Sequence, residues 1–322
     1  MPWQPSADIN QLKQRARVIS QIRAFFSARD LLEVDTPIMS HYGVSDPHID
    51  TIPVAFTQDG AFQCQPMHLM SSPEYAMKRL LAAGSGSIYQ IAKAFRNGEV
   101  GCRHNPEFTL LEWYRLDFDL QQLMQEVACL IDTVLIGEVL EWHFWSYRQA
   151  FEEVLYINPL TASDDAIRSK ALDLIDIQME ASTPRDTWLD LLMSHCIEPQ
   201  LPTACFIFDY PASQSALAQT GMDDLGNNVA RRFEVYINGI ELANGYQELT
   251  DAQEQERRFA LDNATRAFMG KTPMAVDIRL IQALQAGLPE CSGVALGIER
   301  LLMLASGEKD ITKVMAFSHH LA

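Results

Sequence analysis

The chain has 322 residues, 48% of them hydrophobic, and its formal net charge at pH 7 is −17. This length and apolar content suffice for one large domain or two small ones with a buried core. Because contacts from Lys and Arg to phosphate supply much of the affinity of nucleic-acid-binding proteins, so acidic a composition argues against a broad RNA or DNA surface.

Three features of the sequence predict a cytoplasmic protein without a membrane attachment. No run of about 18 or more apolar residues is present that would predict a transmembrane helix. Residues 1–5 contain neither the basic nor the apolar segment of a secretory signal. The cysteines form no Cys-x-x-Cys pair, which fits a reducing compartment and predicts neither a zinc site nor a disulfide framework. The six are Cys64, Cys102, Cys129, Cys196, Cys205 and Cys291.

In chain order, the first predicted element is a helix over residues 9–32, with Asp8 as its N-cap. Residues 33–39 look extended and contain a proline, which in a strand belongs at an edge or a bulge. An edge strand beside an apolar helix is typical of a subunit contact, although a plain helix-strand turn gives the same pattern. Next, Ser72 and Pro73 suit the N-cap and the first position of a second helix.

The rest of the chain alternates between strands and helices, without internal repeats or a linker. Residues 88–96 and 108–116 are predicted strands joined by a polar loop, and helical segments without a readable motif fill about 120–190. The later predictions are a buried strand over 206–211, a loop over 224–228, a hairpin over 233–243, a helix over 250–269, and a strand running into a helix over 294–306. This order predicts one α+β domain over residues 1–322.

The hairpin is predicted to place two carboxylates side by side. Asn238-Gly239 is typical of a two-residue type I′ turn, which pairs Tyr236 with Glu241. Glu234 then shares a face with Tyr236 and lies diagonally from Glu241, with Cα atoms about 7–8 Å apart. Magnesium, which prefers oxygen ligands, would relieve the repulsion between the two acids. A solvated outer face is the alternative, and the acid Glu248 further along makes it less attractive.

A second candidate site follows from the strand at 108–116. Its alternation places Phe108, Glu112 and Tyr114 on one face, where Phe108 can stack on a base and the other two can receive an ammonium group. A half-exposed strand with an isolated acid is the alternative. Glu74, in the first turn of the second helix, either complements the helix dipole or binds a substrate amine.

Two arginines point to a nucleoside triphosphate. Arg96 ends the strand before the polar loop, and Arg300 lies in the first turn of the helix that follows Gly297. Guanidinium keeps its charge and grips phosphate oxygens with two hydrogen bonds, and a helix N-terminus adds partial positive charge. In the loop, His104 is predicted to contact phosphate or solvent rather than to act as a general base.

These motifs resemble those of class II aminoacyl-tRNA synthetases. Residues 95–114 look like motif 2 of that family, residues 293–304 like motif 3, and residues 25–39 like motif 1, the dimer-forming element. Within the family, residues 103–109 and 241–249 resemble the lysyl subgroup. The resemblance implies a mostly antiparallel sheet flanked by helices, and a homodimer.

The resemblance also implies a particular activity. Bacterial lysyl-tRNA synthetases read the anticodon with an N-terminal OB-fold, and here the resemblance to motif 1 already begins at residue 25, so we expect no anticodon-binding domain. The likeness is then to the truncated paralogues that attach (R)-β-lysine, through an ATP-derived adenylate, to a lysine side chain of elongation factor P. That reading predicts no tRNA partner. A small lysyl-tRNA ligase and a non-catalytic, synthetase-like regulatory subunit are the alternatives.

The family's roles carry over to matching positions of this sequence. Arg96 would hold the α-phosphate and the substrate carboxylate, Arg300 the γ-phosphate, and Phe108 the adenine, while Glu234 and Glu241 would bind Mg²⁺. The other residues expected at the ATP site are Asn97, Glu99, His104, Asn105, Glu241, Leu242 and Gly297. The residues expected to shape the pocket for the diamine acid are Ser72, Pro73, Glu74, Glu112, Tyr114, Asn244, Glu248 and Ala295.

Two positions depart from the family pattern. Gly98 stands where the family usually has an acid that faces the adenine amine, so either Glu99 or the backbone is expected to replace it. Ala295 stands where lysyl-tRNA synthetases usually have glycine. Its added methyl group is expected to favour a β-amino acid over an α-amino acid.

Overall fold

The computed structural model describes residues 3–57, 64–135, 140–180 and 182–322, with the backbone alone at 56–57 and 64–66. Residues 1 and 2 and the side chain of Cys64, which entered the predictions about a signal segment and about cysteines, lie outside the described part. The other five cysteines are free thiols. In the described ranges, no helix combines the length and the apolar composition that crossing a bilayer requires.

The helices and strands follow one another along the whole described chain. The helices are α1 (Ile9–Ser27), α2 (Glu74–Ala82), α3 (Leu120–Val134), α4 (Tyr147–Leu155), α5 (Asp164–Leu174), α6 (Arg185–Leu192), α7 (Ala252–Phe268), α8 (Ile278–Gly287) and α9 (Ile298–Ser306). The strands are β1 (Leu32–Glu33), β2 (Met39–Ser40), β3 (Ile52–Thr57), β4 (Cys64–Leu69), β5 (Ile88–Phe95), β6 (Glu107–Leu116), β7 (Trp142–Ser146), β8 (Ala204–Pro211), β9 (Thr220–Met222), β10 (Asn228–Ile237), β11 (Ile240–Gln247) and β12 (Cys291–Gly297).

One large sheet organises the molecule. Its strands lie in the order β1-β5-β6-β12-β11-β10-β8-β7, with β9 added alongside β10, and β2, β4 and β3 form a small second sheet. Within the described residues only the β1–β5 and β7–β8 pairs are parallel. The prediction of an α+β fold with a mostly antiparallel sheet flanked by helices is therefore confirmed.

The two faces of the large sheet have different environments. Leu111 and Trp113 point to the side where α1, α3 and α9 pack, and they belong to the largest apolar core. Phe26 of α1 stacks on Tyr89 of β5 there, with ring centroids 4.6 Å apart. Because successive strand residues face opposite sides, Glu112 and Tyr114 lie on the other face, which is the floor of a cavity.

Helix boundaries follow from capping residues. Asp8, the predicted N-cap, accepts a hydrogen bond from the N–H of Gln11 at 2.9 Å, and Asp251 caps α7 in the same way. The helix predicted over 9–32 ends earlier, at Ser27. The extended prediction over 33–39 was only partly right, because its proline lies between the two short strands and in neither of them.

The region between about 120 and 190, predicted as helical, also contains a strand. β7 pairs in parallel with β8 and extends the edge of the large sheet. Beside it, α4 and α6 pack in a second apolar core around Tyr147, Phe151 and Trp188. This core forms one wall of the cavity described next.

Candidate active site

A cavity of about 1200 Å³ lies on the open face of the large sheet. Its floor consists of side chains from neighbouring strands that the pairing register places in rows. The first row contains Leu110 and Gly297. The second row contains Glu112, Ala295, Asn244 and Glu234. The third row contains Tyr114, Gly293, Tyr246 and Arg232. Almost all of the predicted site residues line this one cavity.

A β-bulge gives the second row its composition. The hairpin pairs Tyr236 with Glu241 as predicted, but the register then shifts so that Glu234 lies opposite Asn244. A regular hairpin would instead place Glu234 opposite Ala243, with Asn244 on the face away from Glu241. The regular hairpin that the sequence predicted was therefore wrong, but Glu234 and Glu241 both line the cavity and lie close enough for Glu234 to raise the pKa of Glu241. The bulge lets Glu241 and Asn244 face the cavity together.

Arg300 lies at the end of the cavity that contains the first row. From the first turn of α9, its Nη1 donates to the carbonyl oxygen of Glu241 at 2.6 Å and lies 3.4 Å from the Oε2 of that residue. Its Nη2 lies 2.8 Å from Nε2 of His104. Because guanidinium only donates, Nε2 must accept, so His104 is neutral at that nitrogen. Burial, together with the charge of Arg300, lowers the pKa of His104.

Arg96 lines the cavity with Phe108 and Glu99. The guanidinium carbon of Arg96 is 5.1 Å from the centroid of the Phe108 ring, and its Nη1 is 3.6 Å from Oε1 of Glu99. Glu99 therefore reaches the site although Gly98, with its positive φ of 79°, occupies the position usual for the family's acid. Arg96 and Arg300 both line the cavity, and their binding of a triphosphate stays a prediction.

Several buried polar atoms of residues that line the cavity have no hydrogen-bond partner among the described residues. They include Nε of Arg96, which is a donor, and Oδ1 of Asn244, which is an acceptor. Buried polar groups in proteins are almost always paired, so unpaired ones that line a cavity indicate contacts to a ligand. A bound molecule with both acceptor and donor groups would satisfy them.

Some predicted ATP-site residues have a different position or a different task. Asn97 is not part of the cavity lining, and its backbone N–H donates to the carbonyl oxygen of Asp50 at 2.7 Å. Asn105 does line the cavity, but its side chain is used within the protein. It donates to the carbonyl oxygen of Glu107 at 2.6 Å and accepts from the backbone N–H of His319 at 3.1 Å.

An acidic pocket occupies the opposite end of the floor. We use this name for the carboxylates Glu74, Glu112 and Glu248 together with the buried Lys78. Nζ of Lys78 is 2.7 Å from Oε1 of Glu74 and 2.6 Å from Oε2 of Glu248. Glu112 accepts from the hydroxyls of Ser72 and Tyr114, both at 2.7 Å. Three acids thus face one ammonium, which leaves the pocket short of positive charge.

Burial changes the protonation of the acidic pocket. It raises the pKa of Glu112 to about 7 and that of Glu248 to about 8, and the negative charge of Glu74 raises both further. Burial opposes the charge of Lys78, but the two carboxylates beside it outweigh this effect, so its pKa is raised. An ammonium group entering the pocket would stabilise the ionised carboxylates.

The sequence reasoning missed Lys78 as part of the site. The spacing of Glu74 and Lys78 by four residues in the sequence already allowed an ion pair. The prediction for the start of that helix was also shifted by one residue. Pro73 takes the cap position and is not part of the cavity lining, while the Ser72 hydroxyl accepts from the N–H of Glu74 at 3.0 Å.

Small residues on β12 make room for the pocket. A Cβ atom on Gly293 would lie 2.3 Å from the ring of Tyr114 and 2.5 Å from Oε1 of Glu248. Any larger residue at position 293 would therefore collide with Tyr114 and Glu248, so glycine is required for these two side chains to take their positions. In the second row, Ala295 pairs with Glu112 and with Asn244 and lines the cavity between them.

The predicted magnesium ligands suit a cation that is held mainly by substrate. Glu234 accepts from the hydroxyls of Tyr210 at 2.7 Å and Tyr236 at 2.6 Å, and it also pairs with Arg232. Burial and the nearby Glu234 raise the pKa of Glu241. In the described part of the chain no three His, Cys, Asp or Glu side chains form a metal-binding group. Two carboxylates plus phosphate oxygens and water would still meet the preferences of Mg²⁺.

Comparison with known proteins agrees with these motifs. The family model for tRNA synthetases class II (D, K and N) matches residues 5–320. A protein of Vibrio cholerae serotype O1 named elongation factor P–(R)-β-lysine ligase is 52% identical over 319 residues, which cover 98% of this chain and 97% of the relative. Proteins of the same name from Vibrio atlanticus and Proteus mirabilis are 51% and 50% identical over the same shares.

A match of this extent includes all the motifs that line the cavity. The chain therefore belongs to the tRNA synthetases class II (D, K and N) family.

Proposed function

We propose that this protein activates (R)-β-lysine with ATP and transfers it to a lysine side chain of elongation factor P. The observation that carries the proposal is the acidic pocket, with three carboxylates and one ammonium, in the same cavity as Arg96 and Arg300. A pocket with more carboxylates than ammonium groups suits a dibasic amino acid, and the two guanidinium groups suit a triphosphate. Relatives about 50% identical over almost their whole length have the corresponding name.

In the first reaction, the carboxylate of the amino acid attacks the α-phosphorus of ATP, and pyrophosphate leaves. The step requires no nucleophile from the protein, and no covalent intermediate with the enzyme is formed. Holding both reactants in line can contribute roughly 7–11 kcal/mol to lowering the barrier. Arg96 and Arg300 would stabilise the negative charge that develops on the phosphates. Glu234 and Glu241 would hold Mg²⁺, which supplies further positive charge there.

In the second reaction, the amine of the protein substrate loses its ammonium proton to solvent and attacks the carbonyl carbon of the adenylate in its neutral form. The new bond is an amide, AMP leaves with the electrons of the broken mixed-anhydride bond, and the nitrogen gives up one further proton to solvent. Pairing between Glu112 and the diamine would hold the acyl group in place during this attack. Ala295 would set the distance between carboxylate and amine and so favour the β-amino acid.

The proposal includes the finer predictions about partners. It holds that tRNA is not an acceptor, which the net charge of −17 supports. It also holds that residues 1–322 act as one catalytic domain, in the cytoplasm, as a homodimer. Support for the homodimer is the resemblance of residues 25–39 to the dimer-forming motif of the family.

ATP–pyrophosphate exchange separates the proposal from its two alternatives. We expect exchange with (R)-β-lysine to be much faster than with α-lysine. A preference for α-lysine, together with radiolabelled lysine on tRNA, would support a small lysyl-tRNA ligase instead. Exchange with neither isomer would support a regulatory subunit without catalytic activity.

A further inference from the structure

The cavity continues past the third row to a wall that the proposed reaction does not use. The guanidinium of Arg232 lies 4.4 Å above the ring of Tyr210, and the Tyr210 ring centroid is 4.8 Å from that of Tyr147 on α4. Asp186 and Asp190 of α6 line the same end of the cavity. The register places this end beyond β10, on the side of the cavity away from the acidic pocket.

Tyr147 has an unusual hydrogen-bonding state. Its side chain is 1% exposed, yet its hydroxyl has no hydrogen-bond partner among the residues that the structure describes. The ring is fixed by Phe151, whose centroid is 4.7 Å away, and by Tyr210. A buried hydroxyl that lines a cavity without a partner indicates a ligand with a polar group.

Asp186 and Asp190 supply negative charge next to this hydroxyl. They are four residues apart on α6 and so lie on one helix face. Each accepts one hydrogen bond from a neutral side chain, Asp186 from Ser213 and Asp190 from Gln214, both at 2.8 Å. Within the described ranges neither has an ion pair. Burial, reinforced by Asp186, raises the pKa of Asp190 to about 6.

The nearby cations do not neutralise this pair of acids. His48, which lines the same cavity, and Arg232 both oppose the rise in the pKa of Asp190. Arg232 is itself paired with Glu234 in the second row. Two acids with neutral hydrogen-bond donors and a free hydroxyl are what an ammonium group requires, because it donates up to three hydrogen bonds.

We infer that Tyr147, Asp186 and Asp190 form a second amine-binding subsite, which receives the protonated side chain of the acceptor lysine as it enters the cavity. The inference rests on the proposed function, since it names the place where the protein substrate is held. We call these three residues the acceptor subsite.

The sheet geometry excludes the amino-acid substrate as the occupant. Glu112 and Glu234 lie in one row and are separated by three strand spacings, which is roughly 14 Å at about 4.8 Å per strand. The acceptor subsite lies beyond Glu234. A six-carbon diamine bound to Glu112 cannot reach the acceptor subsite. An ammonium group bound at that subsite must therefore belong to a second molecule.

A double-mutant cycle tests this inference without relying on catalysis. The binding of elongation factor P is measured with the wild-type enzyme and with the Asp186→Asn/Asp190→Asn variant. Each is combined with normal elongation factor P and with a form whose acceptor lysine is replaced by methionine. We expect each change alone to weaken binding about tenfold, and the second change to add little once the first is present. Independent, additive effects would overturn the inference.

Kinetics provide the second test. Tyr147→Phe keeps the ring packing and removes only the hydroxyl, so the fold is maintained. We expect it and the double variant to raise the KM for elongation factor P, with ATP–pyrophosphate exchange on (R)-β-lysine within twofold of wild type. A raised KM for (R)-β-lysine in exchange would assign the subsite to the amino acid and contradict us. Asp165→Asn, an exposed acid on α5, is the matched control for charge.

The failure of this inference can be told apart from failure of the proposed function. If the wild-type enzyme makes the adenylate but never modifies elongation factor P, the proposed function is wrong. If the wild-type enzyme modifies it and both Tyr147→Phe and the Asp186→Asn/Asp190→Asn variant do so with unchanged KM, only the acceptor subsite is wrong.

Discussion

Lys78 and Glu248 form a fully buried ion pair under the cavity floor, with Nζ and Oε2 2.6 Å apart and both residues 1% exposed. Glu74 contacts the same ammonium at 2.7 Å. A buried charge is tolerated only with a partner, so this ammonium holds two acids in fixed positions. It leaves Glu112, which has only neutral hydrogen-bond donors, as the acid best placed to pair with a substrate.

The first prediction concerns the stability of this arrangement. Lys78→Met keeps most of the side-chain volume but removes the charge that compensates Glu74 and Glu248. We expect the free energy of unfolding to fall by about 3–5 kcal/mol, as when one partner of a buried pair is removed. Chemical denaturation would measure it. Lys93→Met, which removes an exposed Lys93–Glu107 pair, is the control and should cost less than about 1 kcal/mol. Equal effects for the two variants would contradict our reading.

The second prediction concerns the substrate ammonium. Glu112→Gln keeps the shape of the side chain and removes the charge that Ser72 and Tyr114 orient. We expect the KM for (R)-β-lysine in pyrophosphate exchange to rise at least about tenfold, which corresponds to about 1.4 kcal/mol, with little change in the KM for ATP. Glu107→Gln on the same strand is the exposed control. An unchanged KM for the amino acid would move the ammonium contact away from Glu112.

The third prediction concerns pH. The pKa values of Glu112 and Glu248, raised by burial to about 7 and about 8, mean that both acids are partly protonated near neutrality. Both amines of the substrate stay charged in this range, so affinity should increase as pH rises from about 6 to about 8.5. Calorimetric titration would show it. The increase should be smaller for Glu112→Gln, and a flat profile for the wild-type protein would contradict the assignment.

The same shifts make an opposite prediction for stability without substrate. With pKa values above the ordinary 4.5, the folded protein holds more protons at these acids than the unfolded chain does. Their contribution to the free energy of unfolding should therefore decrease as pH rises from about 5 to about 8. Comparing the pH dependence of unfolding in wild type and in Glu112→Gln isolates the contribution of Glu112 to the free energy of unfolding. A variant with the same slope as wild type would speak against a raised pKa at Glu112.

The fourth prediction concerns Arg300. Arg300→Ala removes a guanidinium that now donates to Glu241 and His104 and that we assign to phosphate. We expect the rate of exchange to drop about 100-fold or more, in the range found for the loss of a transition-state contact, while binding of the amino acid is nearly unchanged. Arg300→Lys should recover only part of the rate, because ammonium lacks the bidentate geometry. Wild-type exchange in the alanine variant would refute the assignment.

The fifth prediction concerns the choice between lysine isomers. Ala295→Gly removes the methyl group between Glu112 and Asn244 in the second row. We expect the preference for (R)-β-lysine over α-lysine in exchange to fall about tenfold, a change of about 1.4 kcal/mol. Ala295→Ser, which adds a polar atom in place of empty space, is a useful comparison. A preference that does not change in Ala295→Gly would show that selectivity comes from another part of the pocket.

Much of the fold could be predicted from the sequence because its signals are local. The strands around Arg96 and Glu112 are rich in aromatic and other apolar residues, Asp8 has the chemistry of a helix cap, and Asn238-Gly239 has the chemistry of its turn. Each of these features depends on neighbours within a few residues. The structure places them where the sequence predicted, within the usual uncertainty at helix and strand ends.

The features that the sequence did not reveal depend on contacts between distant segments. The bulge opposite Tyr236 arises from the way in which β11 pairs with β10. Residues 240–247 alone contain no signal that indicates it. Lys78 pairs with Glu74 on its own helix and with Glu248, which follows the distant strand β11. Asn105 was predicted to bind ATP, but its side-chain oxygen accepts a hydrogen bond from the backbone N–H of His319. That contact depends on where the C-terminal segment packs, which the sequence around residue 105 does not indicate. Such pairings are set by the packing of the whole chain.

The most direct test of the central claim is the mass of intact elongation factor P after incubation with this protein, ATP and each lysine isomer. We predict an increase by one lysyl residue with (R)-β-lysine, at the acceptor lysine, and a much slower one with α-lysine. The increase should disappear in Arg300→Ala and when ATP is omitted. An unchanged mass with both isomers, under conditions in which the enzyme forms the adenylate, would contradict the account.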